Sequence, residues 1–129
     1  MAKRSRSKAR RKKSPVRRSS ARKQHSIKSG KLPKDGVTLI VILRPREGQH
    51  SLLEAELRAL VGPTRREPGC LTYDLHRGEE AGSGYLLHEV WESREHHQAH
   101  TQTPHFIRWN ARKDALLASR DVTFWKQVL

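Results

Sequence analysis

The stretch Val37-Thr-Leu-Ile-Val-Ile-Leu43 decides the fold of this chain. It is a run of apolar and β-branched residues between the turn signal Asp35-Gly36 and Pro45, which predicts a β-strand. Successive side chains of a strand point to opposite faces of the sheet, and here both faces carry apolar side chains. One layer of helices covers only one face. We therefore expect another subunit to cover the second face.

A helix signal follows this strand. Ser51 with Glu54 three residues later forms a capping box, and leucines then recur at helical spacing. Gly62-Pro63 is expected to break or kink this helix, because proline cannot complete the backbone hydrogen bonds of a helix interior.

Two further strands are predicted in the middle of the chain. Pro68-Gly69 turns the chain into the strand Cys70 to His76, and a connection of hairpin length, Gly78 to Gly84, leads into the strand Tyr85 to Trp91. In this third strand Tyr85, Leu87, Glu89 and Trp91 share one face.

The remaining residues predict two helices and a closing strand. Ser93 can cap a short helix through His100, and Thr103-Pro104 can cap and start another that runs to about Ala118. Asp121 to Leu129 is predicted to be the last strand. The order β-α-β-β-α-β predicts an α+β fold, the ferredoxin-like split βαβ arrangement.

Charge divides the chain into a tail and a domain. Residues 1–34 contain fifteen Lys or Arg and no acidic residue, which leaves 12 basic and 13 acidic residues in 35–129. The tail has too few apolar side chains to form a core, and its like charges repel, so we predict that it is disordered. Its chemistry suits nonspecific binding of nucleic acid by counterion release. The 95 residues from Asp35 to Leu129 suit one small domain.

The sequence also limits where this protein works. No apolar stretch is long enough to span a bilayer, so no membrane partner is expected. The single Cys70 excludes an internal disulfide and fits a reducing cytoplasm. No neighbouring motif would lower its pKa, and we interpret it as an inert core thiol.

Five of the eight histidines lie between His88 and His105. His96 and His100 are spaced i, i+4, with Glu92 one turn earlier, a spacing that can hold a metal on one helical face. Solvated or hydrogen-bonded histidines are commoner on short helices, and no third ligand from elsewhere is evident. We predict no metal site. Glu89, on an inward strand face, needs a partner such as His100 or an arginine.

Several motifs resemble one known family. Glu67-Pro-Gly-Cys-Leu-Thr-Tyr73, then Glu89-Val-Trp-Glu-Ser93, then Ala99-His100 and Thr103-Pro-His-Phe106 resemble the antibiotic biosynthesis monooxygenase domain, with its small quinol monooxygenase-like proteins as the most similar subgroup. The resemblance covers about Gly36 to Leu129. It implies a homodimeric α+β barrel in which the sheets of two subunits pack together. It also implies oxidation of a small aromatic quinol or phenol by O2 without any cofactor.

By position, this resemblance implies roles for six residues. His100 matches a recurrent helix histidine and would act as catalytic base or anion stabiliser, since its unperturbed pKa is about 6.5. Trp91 matches the pocket tryptophan that stacks on the substrate. The weaker candidates for contact with the substrate are Glu89, His97, Phe106 and Trp109.

Two alternatives use the same scaffold. One is a non-catalytic dimeric module that its basic tail tethers to nucleic acid, and the other is an isomerase with a phosphate-binding pocket. A fold of this kind hosts several activities, so the fold by itself does not choose between them.

Overall fold

A computed structural model describes residues 33–129 of the chain, and its seven elements follow the predicted order. They are β1 (Val37–Pro45), α1 (His50–Arg65), β2 (Cys70–Arg77), β3 (Tyr85–Trp91), α2 (Arg94–His100), α3 (Pro104–Leu116) and β4 (Leu117–Trp125). The strands form one antiparallel sheet in the order β2-β3-β1-β4. This is the split βαβ topology, so the predicted fold class is confirmed.

Residues 1–32 lie outside the described residues, and almost all of the predicted tail falls there. Its disorder and its binding of nucleic acid stay predictions. Within residues 33–129, no helix combines the length and the apolar composition that crossing a bilayer requires.

Strand β1 occupies the centre of the sheet. It pairs with β3 along Val37↔Trp91 to Leu43↔Tyr85 and with β4 along its other edge. Its burial alternates strictly from Val37 to Leu43, with every second residue buried and the residues between them half-buried. The buried set faces the helices. The half-buried set, which includes Ile40 and Ile42, is absent from the hydrophobic core and lies on the opposite face.

Helices α1 and α3 cover the inner face of the sheet. Leu53, Leu57 and Leu60 of α1 are spaced for one helical face and are at most 3% exposed. Each such leucine stabilises the fold by about 1.5–3 kcal/mol relative to an exposed position. Trp109 and Leu116 of α3 join the same core.

The predicted capping box of α1 is wrong, and the helix does not break at Gly62-Pro63. The helix begins at His50 with Gln49 as N-cap and no side-chain cap, so Ser51 lies inside the helix. Glu54 is therefore a full turn into α1, where its carboxylate binds Arg77 (2.7 Å) and the Tyr85 hydroxyl (2.8 Å) instead. The helix also continues through Gly62-Pro63 to Arg65, so only two helical residues follow the backbone bond that Pro63 removes.

The two predicted caps of the later helices are confirmed. The Ser93 hydroxyl accepts a hydrogen bond from the His96 amide, and the Thr103 hydroxyl accepts one from the Phe106 amide, with Pro104 at the first helical position. A short polar side chain at each N-cap satisfies backbone donors that the helix itself leaves unpaired.

The boundary between α3 and β4 differs from the prediction. The helix ends at Leu116, not near Ala118, and the last strand is Leu117–Trp125, not Asp121 to Leu129. We attribute the earlier end of α3 to hydrogen bonds with Arg46, which directly follows β1. Arg46 donates its backbone amide to the Leu116 carbonyl (2.8 Å) and its guanidinium to the Asp114 carbonyl (2.9 Å). These bonds end the helix and direct the chain along β1.

Glu54 supplies the first testable prediction. Hydrogen bonds from Arg77, Tyr85 and Arg58 lower the pKa of its carboxyl from 4.5 to about 2. A depressed carboxyl pKa adds stability above about pH 4.5 that is lost as the pH falls toward about 2. We expect Glu54→Gln to lower Tm by a few degrees at pH 7 and to have a smaller effect near pH 2. Thermal unfolding across this pH range measures both.

Glu79→Gln is the matched control, because Glu79 is exposed in the β2–β3 connection. It is expected to leave Tm at pH 7 close to that of the wild type. A Glu54→Gln penalty that stays constant from pH 7 to pH 2 would contradict the role given to the Glu54 charge.

Candidate active site

A small cavity of about 70 Å³ lies between the sheet and helices α2 and α3. Aliphatic side chains of β1 and β3 form part of its lining. Its polar and aromatic members are Tyr73, Glu89, His97, His100, Thr101, Phe106, Trp109 and Arg120. Five of the six site residues expected from the sequence therefore line one cavity. The sixth, Trp91, is fully buried and reaches the site through its contact with the His100 ring.

His100 is the polar centre of this site. It is the last residue of α2 and is only 1% exposed. The rings of Trp91 and Phe106 each lie 4.9 Å from the His100 ring, and that of Tyr73 lies 5.7 Å away. Its Nδ1 is 2.8 Å from Oε2 of Glu67, a buried carboxylate in the α1–β2 connection. An imidazole thus sits among aromatic rings with one nitrogen bound to a carboxylate.

The same carboxylate oxygen bonds a second histidine. His105, in the first turn of α3, places Nε2 2.6 Å from Glu67 Oε2, and that nitrogen is also 3.2 Å from the Thr103 hydroxyl. Sequence reasoning assigned no role to Glu67 or His105. Both lie inside motifs that carry the family resemblance, yet 33 and 38 residues separate Glu67 from its two partners, and no local pattern pairs them.

The hydrogen-bond partner of Glu89 is Trp91, which the sequence did not predict. Its carboxylate accepts a hydrogen bond from the Trp91 indole nitrogen at 3.0 Å, rather than from His100 or an arginine. Residues i and i+2 of a strand project from the same face, which brings these two side chains together. Burial raises the pKa of Glu89, while the Trp91 hydrogen bond and the nearby His100 oppose that rise. The indole thereby both packs on His100 and holds a buried carboxyl group.

His97 and Tyr73 are held in their neutral forms. Burial, with smaller contributions from the neighbouring His100 and Arg94, lowers the pKa of His97 to about 4. Burial and the nearby Glu89, Cys70 and Glu67 raise the pKa of Tyr73 well above 10. The cavity at neutral pH therefore presents a neutral imidazole and a protonated phenol beside His100.

The helical spacing considered for a metal does not form a site. His96 bonds Ser93 (2.8 Å) and lies 3.8 Å from Glu92, whereas His100 is directed to Glu67. Among residues 33–129, the potential metal ligands that do converge are Glu67, His100 and His105, with ligand atoms within 4.8 Å of one another.

The separations inside this cluster are those of hydrogen bonds. The carboxylate oxygen is 2.6 Å and 2.8 Å from the two nitrogens. Tetrahedral ligands with bonds of about 2.0–2.1 Å to one ion stand roughly 3.3 Å apart. The described arrangement is therefore a hydrogen-bonded carboxylate with two imidazoles, and the expectation of no metal stays a prediction.

A split βαβ domain with a buried histidine in an aromatic cavity defines a ferredoxin-like α+β protein with a candidate active site. Comparison with known proteins identifies its family. The family description "Antibiotic biosynthesis monooxygenase" matches residues 36–112, more than half of the chain. The chain therefore belongs to the antibiotic biosynthesis monooxygenase family, and the resemblance seen in its motifs is confirmed.

Individual relatives agree with this assignment. The protein named "Putative monooxygenase Rv0793" of Mycobacterium tuberculosis is 36% identical over 81 residues, which cover 63% of this chain and 79% of that protein. Its solved structure has a TM-score of 0.69 at 33% identity and covers 72% of this chain and 95% of that one. The structure of PA3566 from Pseudomonas aeruginosa has a TM-score of 0.72 at 33% identity. The match covers 74% of this chain and 97% of that one.

His97 supplies the prediction that tests the electrostatics of the cavity. Since its pKa is lowered to about 4, the folded chain binds fewer protons than the unfolded chain between about pH 6.5 and pH 4. Stability is therefore lost as the pH falls through this window. We expect His97→Phe, which keeps an aromatic ring but removes the titration, to flatten this loss. Urea unfolding at several pH values measures the slope, and NMR titration of the His97 ring gives its pKa directly. A His97 midpoint near 6.5 would contradict the description of the site.

Proposed function

We propose that this protein is a cofactor-independent monooxygenase that oxidises a small aromatic quinol or phenol with O2. The observation that carries the proposal is the buried His100 imidazole enclosed by aromatic rings at 4.9–5.7 Å. Family membership supplies the reaction class, oxygenation. The site supplies a base in a water-poor, aromatic surrounding, which suits a planar substrate with an acidic hydroxyl group.

In the proposed reaction the substrate itself is the reductant. His100 takes the hydroxyl proton, and the resulting phenolate passes electrons to O2. The O–O bond breaks, one oxygen atom replaces a hydrogen on a ring carbon, and the other leaves as water. The ring supplies all four electrons and ends at the oxidation level of a quinone. Trp91, although it does not line the cavity, contacts His100 and orients it as part of the aromatic wall. His97, Phe106, Trp109 and Glu89 contact the substrate from the cavity wall.

The cavity must enlarge to admit such a substrate. Its 70 Å³ holds only a few water molecules, whereas pockets for small ligands occupy about 300–1,000 Å³. The half-buried Phe106, Thr101 and Val122 and the exposed Arg120 form its outer wall, and they are the side chains free to move. Substrate entry by displacement of this wall leaves the buried His100 and Trp91 in place.

The lining chemistry favours an aromatic substrate over the phosphorylated one that an isomerase of this scaffold would need. Among the described residues of the cavity, Arg120 is the one permanently charged cation, and it lies at the outer wall. A phosphate group would call for several such donors. The buried rings of Tyr73 and Trp109 line the interior instead.

The catalytic prediction concerns His100. We expect the full chain, stripped of metals and given a reduced naphthoquinol, to consume O2 faster than autoxidation does. His100→Ala is expected to lower turnover by about 10²-fold or more, the usual scale for a general base. A Clark-type oxygen electrode measures the rate. Unchanged turnover in a folded His100→Ala protein would remove His100 from the mechanism.

Gln98→Ala is the matched control. Gln98 lies on the same helix, is exposed and does not line the cavity. It is expected to keep turnover within about twofold of the wild type. Equal losses in both variants would indicate damage to α2 rather than loss of a base.

We further propose that the active form is a homodimer joined through the outer face of the sheet. That face carries a groove of about 650 Å³ lined in part by Ile40, Ile42 and Leu86. These side chains are only half-buried although they lie at the centre of the sheet. Exposed apolar patches of this kind mark interaction sites, and an identical sheet face is a partner that every copy supplies.

The dimer is tested by light scattering at micromolar concentration. We expect a mass of twice the 14.9 kDa chain, and we expect Ile42→Glu to give a monomer because it places a charge in the apolar interface. Ile107→Glu is the control, since Ile107 is 54% exposed on α3. A wild-type monomer, or dissociation by Ile107→Glu alone, would contradict the proposed interface.

A further inference from the structure

We propose that Glu67 is the positioning residue of this site. Its carboxylate holds His100 in the Nδ1–H tautomer, so that Nε2 is the basic atom on the cavity side, and His105 keeps the carboxylate in place as a second donor. The inference rests on the proposed function for the identity of the reaction. The tautomer itself can be measured without any reaction.

The tautomer follows from the hydrogen bonds of the ring. An ionised carboxylate only accepts hydrogen bonds, so at 2.8 Å the Nδ1 of His100 must carry the proton. A neutral imidazole has one N–H, and Nε2 then carries the lone pair. Among the described residues, the hydrogen bonds of this ring go to Glu67 alone. Glu67 does not line the cavity whereas His100 does. Since Nδ1 is bound to Glu67, Nε2 is the ring nitrogen that remains for a substrate in the cavity.

The carboxylate also acts during proton transfer. When Nε2 takes the proton of a substrate hydroxyl, the electron pair of the broken O–H bond stays on the substrate oxygen and His100 becomes an imidazolium. The Nδ1–H bond to Glu67, already charge-assisted by the ionised carboxylate, then joins two opposite charges, so Coulomb attraction between them is added. Glu67 thus stabilises the charged form of His100 without contacting the substrate.

His105 prevents Glu67 from turning away. Its Nε2 reaches the same oxygen, Oε2, at 2.6 Å, and the His105 side chain is 15% exposed while that of Glu67 is 9% exposed. Two donors on one oxygen fix the carboxylate more tightly than one would. They also satisfy a charge whose burial would otherwise be costly.

The backbone around Glu67 is shaped to bring α2 close. Gly69 has φ 81°, and a Cβ at this position would overlap the His96 ring of α2. The Gly69 carbonyl accepts a hydrogen bond from the Glu92 amide at 2.8 Å, just before α2. The turn at Glu67-Pro-Gly is therefore packed against the helix that carries His100. This packing keeps the Glu67 and His100 side chains within hydrogen-bonding distance.

The first experiment measures the tautomer by long-range ¹H–¹⁵N NMR of the full chain labelled with ¹⁵N-histidine, with His100→Asn used to assign the resonances. We expect a pyrrole-type shift for His100 Nδ1 and a pyridine-type shift for Nε2. In Glu67→Gln the amide can donate to the ring, which frees Nδ1 to accept, so signals of the opposite tautomer should appear. Glu92→Gln, which alters the carboxylate near His96, should leave the His100 signals unchanged.

The second experiment measures turnover of the reduced naphthoquinol. We expect Glu67→Gln to lower kcat by about 10²-fold or more with KM within about threefold, since the substrate does not touch Glu67. Glu67→Asp, which restores the charge, should recover part of kcat. A purely structural role would instead lower kcat in step with the fraction of folded protein.

Two results would overturn the inference. One is a wild-type His100 ring protonated at Nε2 and not at Nδ1. The other is tight binding of added Zn²⁺ that shifts both the His100 and His105 rings, because Nδ1 would then be a metal ligand and not a donor. If the NMR result is as expected but the wild type consumes no O2, the proposed function fails while the Glu67–His100 assignment stands.

Discussion

Strand β1 carries apolar side chains on both faces of the sheet, and the rest of the domain depends on this constraint. It pairs with β3 on one edge and β4 on the other, so its backbone is satisfied within the sheet. Helices α1 and α3 pack on its alternate residues from Val37 to Leu43, and Leu39, Val41 and Leu43 also line the cavity. The core and the candidate site therefore share the same side chains of β1, and a change in the register of β1 would alter both.

Buried polar groups are concentrated around His100. Glu67, Glu89 and His100 are all less than 9% exposed, yet each is hydrogen-bonded. Such groups cost stability unless they are paired with good geometry. A purely structural core would have little reason to hold two carboxyl groups and an imidazole around one small cavity. Clusters of this kind are typical of functional sites.

The sequence predicted the fold and most of the site but missed particular contacts. Alternation in β1 and in β3 as far as Glu89, and the caps at Ser93 and Thr103, are local patterns, and all of them are found in the structure. The capping box at Ser51 was wrong because Glu54 binds Arg77 and Tyr85, which follow it in the chain by 23 and 31 residues. The end of α3 was wrong for the same kind of reason, since Arg46 ends it from a distant part of the chain.

By itself the sequence determined the order of helices and strands, the inward faces of β1 and β3 and, through its motifs, the family. These properties depend on neighbours within a few residues, where periodicity and capping act. The tertiary structure alone decided which polar groups meet: Glu67 with His100 and His105, and Glu54 with Arg77 and Tyr85. Such pairs form because packing brings distant segments within hydrogen-bonding distance, and no spacing along the chain encodes that distance.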